Sequence, residues 1–202
     1  DPAEAPLTYY VDDDAPGDPA PGDPTSSDPM EDGSTSYPFD SVQEGVDLAW
    51  GVDAVQVGEG TYLESSVGTW SGATLAGSGP ATRLHFSRPG GLSAFTLGYG
   101  QAHSTAKIRS LALEGGSLVV DVETAQLTDI EINGGNLFLS IDSTGYASVQ
   151  VDGLRLSGGG IFTSFFGYSD TRFSFNRVEA PDSILSWLGP DPRTWGWMSL
   201  TD

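Results

Sequence analysis

Residues 108–120 read IRSLALEGGSLVV, residues 127–139 LTDIEINGGNLFL, residues 151–163 VDGLRLSGGGIFT and residues 175–187 FNRVEAPDSILSW. Laid over one another, the four stretches carry an apolar residue at their first, fourth, sixth and eleventh positions. The firsts are Ile108, Leu127, Val151 and Phe175; the fourths Leu111, Ile130, Leu154 and Val178. The sixths are Leu113, Ile132, Leu156 and Ala180; the elevenths Leu118, Leu137, Ile161 and Leu185. Gly115, Gly134 and Gly158 hold the eighth position, where the fourth copy has Asp182. The starts lie 19, 24 and 24 residues apart. Two short strands and a glycine corner per 20–25 residues are the mark of a repeat whose units stack, so that equivalent positions form columns. One column reads Ala112, Glu131, Arg155, Glu179, alternating in charge; another reads Val119, Phe138, Phe162, Ser186, setting one phenylalanine over the next. A leucine-rich repeat would need an Asn or Cys ladder, which is absent. The pattern predicts an all-β protein, a parallel β-helix of about seven coils over 52–186, with weaker copies at VDAVQVGEG (from Val52) and WSGATLAGSG (from Trp70) and an aromatic cap or tail over 187–202.

Outside the repeats, composition narrows the partners. The 202 residues carry 28 acids against 8 bases, a formal charge of -20, and residues 1–64 hold 16 of the acids with no Lys or Arg. So negative a surface opposes binding to nucleic acid or to anionic lipid, and repels a polyanionic substrate unless a cation stands between, for which calcium is the natural choice. No apolar run approaches the length needed to span a bilayer. With no cysteine, disulfides, thiolate zinc sites and Cys nucleophiles are excluded. The chain starts at Asp1 with neither Met nor an apolar leader, which reads as a mature or trimmed product.

Residues 1–36 have the Pro-, Gly- and Asp-rich composition of a linker, interrupted by a partly alternating strand at 7–11. Ser41-Val42-Gln43-Glu44 is a capping box. Phe39, Val42, Val46 and Trp50 then recur at helical spacing, and Gly51 is placed to end the helix, so 37–51 is expected to hold a short helix lying against an apolar surface.

These N-terminal residues also carry a likeness. Asp32-Gly33-Ser34, Pro38-Phe39, Ser41-Val42-Gln43, Val46-Asp47, Ala49, and then Val55, Val57 and Gly60-Thr61-Tyr62 resemble the N-terminal region of the pectate-lyase-like right-handed β-helix superfamily, where a capping helix closes the first coil. GATLAGSGPATRLHF (from Gly72) is similar to the early coil that follows. The resemblance implies a secreted or cell-surface right-handed β-helix. It implies no single activity, because the superfamily spans polysaccharide lyases, glycosidases, epimerases and adhesins. Gly45 departs from the Ala of that pattern, and the acidic insertion between Tyr10 and Gly33 is longer than usual.

Candidate chemistry is sparse. Asp12, Asp13, Asp14, Asp18, Asp23, Asp28, Glu31 and Asp32 supply oxygen ligands for calcium, though without the spacing of an EF-hand loop; the competing reading is a solvated acidic linker. A lyase of the resembling family needs calcium at the uronate carboxylate and a base beside it. Lys107 and Arg109, both pointing outward around Ile108, are the candidate bases, and Asp121, Glu123 and Asp142 a candidate cation site; outward charges on a repeat are otherwise simply solvated. Phe162, Phe165, Phe166, Tyr168, Trp195 and Trp197 are candidates for contact with a glycan or a partner, or for ordinary packing and closure of the last coil. The expectation is an extracellular module for surface structure, adhesion or glycan binding, with a calcium-dependent polysaccharide lyase and a self-assembling subunit as the alternatives.

Overall fold

The computed structural model describes residues 5–12, 14, 30–69, 72–86, 94–97, 105–142, 146–166, 170–180, 184–188 and 196–201. At 69, 94, 97, 141–142, 146, 165–166, 170–171, 184–188 and 196–201 the backbone alone is described. Among the described residues the chain is mostly β, with one short helix. In order it forms β1 (Thr8–Val11), α1 (Val42–Leu48), β2 (Ala54–Val57), β3 (Gly60–Glu64), β4 (Val67–Thr69), β5 (Thr74–Gly77), β6 (Thr82–Phe86) and β7 (Ala94–Leu97). Then follow β8 (Thr105–Glu114), β9 (Ser117–Asp121), β10 (Thr124–Asn133), β11 (Leu137–Asp142), β12 (Tyr146–Ser157), β13 (Gly160–Phe166), β14 (Asp170–Glu179), β15 (Ile184–Leu188) and β16 (Gly196–Thr201).

Every strand pairing among the described residues is parallel, and the strands form two sheets. One follows the order β1-β2-β5-β8-β10-β12-β14-β16, with β3 and β6 joining it at the second half of β8. The other runs β4-β7-β9-β11-β13-β15. Each strand inside a ladder therefore pairs with the strand one repeat before and one repeat after it, and the strands at the ends with one neighbour. The register is that of the sequence columns. Leu127 lies opposite both Ile108 and Val151, and Val151 opposite Phe175. Leu137 lies between Leu118 and Ile161, and Ile161 opposite Leu185. The apolar columns fill one core, in which Ile108, Leu113, Leu127, Ile132, Leu137, Leu154 and Phe175 are buried. Outside it, Phe138 and Phe162 stack with centroids 5.1 Å apart, as neighbouring members of one column should.

Strands β8, β10, β12 and β14 each contain a bend at the third position of the repeat. Ser110, Asp129 and Arg177 adopt φ of 58°, 51° and 52°, and Gly153, in the same column, 74°. A non-glycine residue is rarely found there, and the ladder skips the Asp129–Gly153 pair. The bend divides each long strand into two segments. At the corners joining β8 to β9, β10 to β11 and β12 to β13, Gly115, Gly134 and Gly158 have φ of 73°, 73° and 72°, the left-handed conformation that glycine adopts without a Cβ clash.

The upstream repeats enter this frame differently from their sequence alignment. Val55 and Leu75, rather than Val52 and Trp70, occupy the place of Ile108, and Tyr62 and Leu84 that of Leu113. The connection at the bend is longer there, separating β2 from β3 and β5 from β6. A fixed spacing of apolar residues consequently slips when carried across it.

Helix α1 sits against the first strands. Ser41 accepts the Glu44 N–H, while the Glu44 carboxylate accepts from the Ser41 N–H at 3.2 Å and its hydroxyl at 2.7 Å. The buried carboxylate of Glu64 on β3 accepts the Val42 N–H at 2.8 Å, so two of the donors that any helix start leaves open are satisfied from outside the helix. Val42 and Val46 are buried as expected. Gly45 is not a weakness: a Cβ there would lie 2.9 Å from Val55 and 3.0 Å from Val11, and its absence lets the helix reach the sheet. Trp50 departs from its expected place on the apolar face and is 68% exposed. The backbone is already extended at Ala49 (φ -77°, ψ 130°), so helical spacing no longer governs Trp50, and Ala49 takes the buried place instead.

Asp53 joins the two ends of this region. Its carboxylate accepts the Leu7 N–H and the Trp50 N–H, both at 2.9 Å, and those donors hold its carboxyl below the usual carboxylate range. A depressed carboxyl stabilises the fold above its unfolded value of about 3.9 and loses that contribution as the pH falls through the folded value. Hydrogen exchange corrected for intrinsic rates is therefore expected to show protected Leu7 and Trp50 amides at pH 6 and loss of that protection as the pH falls past the ordinary carboxylate value and through the depressed one. Asp53→Ala should lack it already at pH 6.

Candidate functional site

The bends of β8, β10, β12 and β14 line a shallow groove of about 680 Å3, with Gly79 and Pro80 also in its lining. Its charged wall comes from two columns, the third and fifth positions of the repeat. The fifth presents Glu131, Arg155 and Glu179, and the third Asp129 and Arg177 on either side of Gly153. Arg155 Nε donates to Glu179 Oε2 at 3.2 Å. Glu131, its neighbour on the other side, instead accepts from Asn133 Nδ2 at 2.9 Å. The alternation of charge seen in the column thus yields one ion pair, not a continuous ladder of them.

Arg177 makes the longest reach. Its Nε donates to Asp152 Oδ1 at 2.7 Å, and its Nη2 to Asp129 Oδ1 at 3.1 Å, two repeats away. Gly153 permits this, since a Cβ there would collide with the Asp129 carboxylate and crowd Arg177. Asn176 Nδ2 also donates to Asp152 Oδ1, at 2.8 Å. The Arg177 guanidinium, through its hydrogen bond and its charge, holds the Asp152 carboxyl below its ordinary value; Asp152 and Asp129 raise Arg177 in turn. The arrangement is a fixed row of donors and acceptors at rung spacing, without a buried acid or a poised base. It is suited to hydrogen bonding a polar ligand.

The residues singled out from sequence lie elsewhere. Lys107 and Arg109 are exposed and alternate with the buried Ala106 and Ile108, so they face outward from the first half of β8 and do not line the groove. Asp12 follows β1 and accepts the Asp14 N–H at 3.4 Å. Asp32 is engaged in a turn with Ser34, whose hydroxyl and N–H lower its pKa. Asp121 ends β9 opposite Ser140, and Glu123 lies in the turn before β10. Among the described residues no three acidic or histidine side chains converge as a metal would require. Asp13, Asp18, Asp23, Asp28, Tyr168 and Trp195 lie outside the described residues, and the backbone alone is described at Asp142, Phe165, Phe166 and Trp197. Phe162 is half-buried in its stack on Phe138.

No family model, curated protein or solved structure matches this chain. Sequence reading placed Glu131, Arg155 and Glu179 in one column but passed over Asp129 and Arg177. The available signal was an acid and a base two repeats apart with a glycine between them.

Proposed function

We propose that this chain is a right-handed parallel β-helix of the pectate-lyase-like kind, acting outside the cell or at its surface as a glycan-binding module. In-register parallel pairing supports the architecture, as does the return of the chain to the same ladder every repeat; right-handed crossover is the rule for parallel connections. The observation that carries the function is the groove. Asp129, Glu131, Arg155, Arg177 and Glu179 sit on strand bends, where a rigid ladder holds planar donors and acceptors at the spacing of the rungs, about 4.8 Å. Such groups form paired hydrogen bonds with sugar hydroxyls.

Calorimetric titration with a panel of neutral and uronate-containing oligosaccharides tests the reading, with calcium and with chelator. Binding without turnover is expected, and Arg155→Ala with Arg177→Ala should weaken it at least about tenfold, the cost of losing one or two charge-assisted hydrogen bonds. Unsaturated product that needs calcium and disappears in Lys107→Ala would replace the module with a lyase. Absence of binding across the panel would sink both. A rise in light scattering with protein concentration would favour the self-assembling subunit.

A further inference from the structure

The cations of this protein divide into two groups. Among the described residues Arg83, Arg155 and Arg177 are ion-paired, to Glu114, Glu179, and Asp129 with Asp152. Lys107, Arg109 and Arg172 form no ion pair among those residues, although acids outnumber bases 28 to 8 in the chain. All three face outward from the same sheet half, the first segments of β8, β10, β12 and β14. The register fixes their places. Arg172 shares a column with Ser148, Thr124 and Thr105. Lys107 shares one with Gln126, Gln150 and Ser174, and Arg109 one with Thr128, Asp152 and Asn176. The one carboxylate in these columns, Asp152, is occupied by Arg177 and Asn176. From β8 to β14 these columns otherwise carry hydroxyl and amide groups, with cations on the first and last of the four strands, in a chain of net charge -20.

From this we propose a second binding surface, distinct from the groove: the strip of Lys107, Arg109, Gln126, Gln150 and Arg172 takes a sulfated polysaccharide. A polyanion is the partner that charge selects. The long-range repulsion of the whole protein does not cancel the attraction. At physiological salt the screening length is about 8 Å, so acids more than two rungs of about 4.8 Å from the strip act on it only weakly. The local cations therefore dominate at the strip itself. Sulfate is the group that fits best. It stays ionised at every accessible pH, and its three oxygens accept from a guanidinium and from neighbouring hydroxyl or amide donors together, which this face supplies in rows. Binding then needs no calcium, because the protein's own cations meet the ligand.

Heparin serves as the probe, in chelator, by affinity chromatography and calorimetry, with polygalacturonate, single-stranded DNA and neutral dextran as comparisons. The expected results are retention on heparin, affinity that falls as salt rises, and at least about tenfold weaker binding in the Lys107→Gln, Arg109→Gln, Arg172→Gln triple variant. Surface changes of this kind are expected to leave stability within about 0.5 kcal/mol, checked by urea unfolding. The groove variant Arg155→Ala alone, which leaves Arg177 on Asp152, should keep heparin binding, and this separates failure of this proposal from failure of the groove reading. The proposal is overturned if heparin does not bind, if the triple variant binds as well as the wild type, or if DNA or polygalacturonate binds as tightly as heparin.

Discussion

Gly135→Ala is expected to destabilise the protein by about 3 kcal/mol, the upper part of the usual range for forcing atoms into a packed structure. Gly135 follows the corner residue Gly134, and a Cβ on it would overlap the carbonyl oxygen of Gly116 in the rung below. That obstacle is backbone, held by its own ladder, so neither side gives way without opening the pairing of β9 with β11. Gly159 meets the carbonyl of Gly135 in the same manner one rung on. Gly134→Ala provides the contrast. Nothing lies within 4 Å of a Cβ there, and the whole cost is that of a left-handed φ of 73°, about 1–2 kcal/mol. Urea unfolding of the two variants reads the difference as a shift in midpoint at constant slope. Equal losses would mean that the corner is strained rather than crowded, and the stacking argument would fail.

Ile132→Ala should cost a comparable amount, about 2–5 kcal/mol, as for other large-to-small changes in a close-packed core. Ile132 is fully buried between Leu113 and Leu156 in the sixth column, so truncation leaves a cavity lined by two rungs that cannot collapse toward each other without breaking register. Its neighbour Glu131 points to the other side of the same strand, into the groove. Glu131→Ala is expected to change stability by no more than about 0.5 kcal/mol. The pair tests the period-two reading directly: similar losses at both positions in urea unfolding would show that the strand is buried on both faces, contrary to the assigned core.

The Ile132 prediction rests on a column that was legible in the sequence, whereas the Gly135 prediction needs the approach of the Gly116 carbonyl, which only the stacked rungs reveal. The apolar columns beginning at Ile108, Leu127, Val151 and Phe175 named the core and its register, because burial of one face leaves a period in the chain that a one-residue slip would destroy. The capping box at Ser41 and Glu44 and the glycine corners at 115, 134 and 158 were readable for the same reason: each depends on residues a few positions apart. The upstream repeats were harder, since the longer connections at the bends of 54–64 and 74–86 break the spacing on which the alignment relied.

The groove lay beyond that reach. Ser110, Asp129, Gly153 and Arg177 share one backbone conformation and no common side-chain chemistry, so no residue type marks the bend in the sequence. Arg177 meets Asp129 across 48 residues only because two intervening turns have the lengths that bring their rungs into line and because Gly153 leaves the space between them. Trp50, assigned to a helix face by its spacing, points to solvent because the helix ends two residues earlier. What the sequence determined by itself is therefore which residues face inward and which repeat they belong to, a property of hydrophobic period. Which charged side chains meet, and on which face an unpaired cation is left, was decided only in three dimensions, where turn lengths and the room left by glycine set the neighbours across rungs.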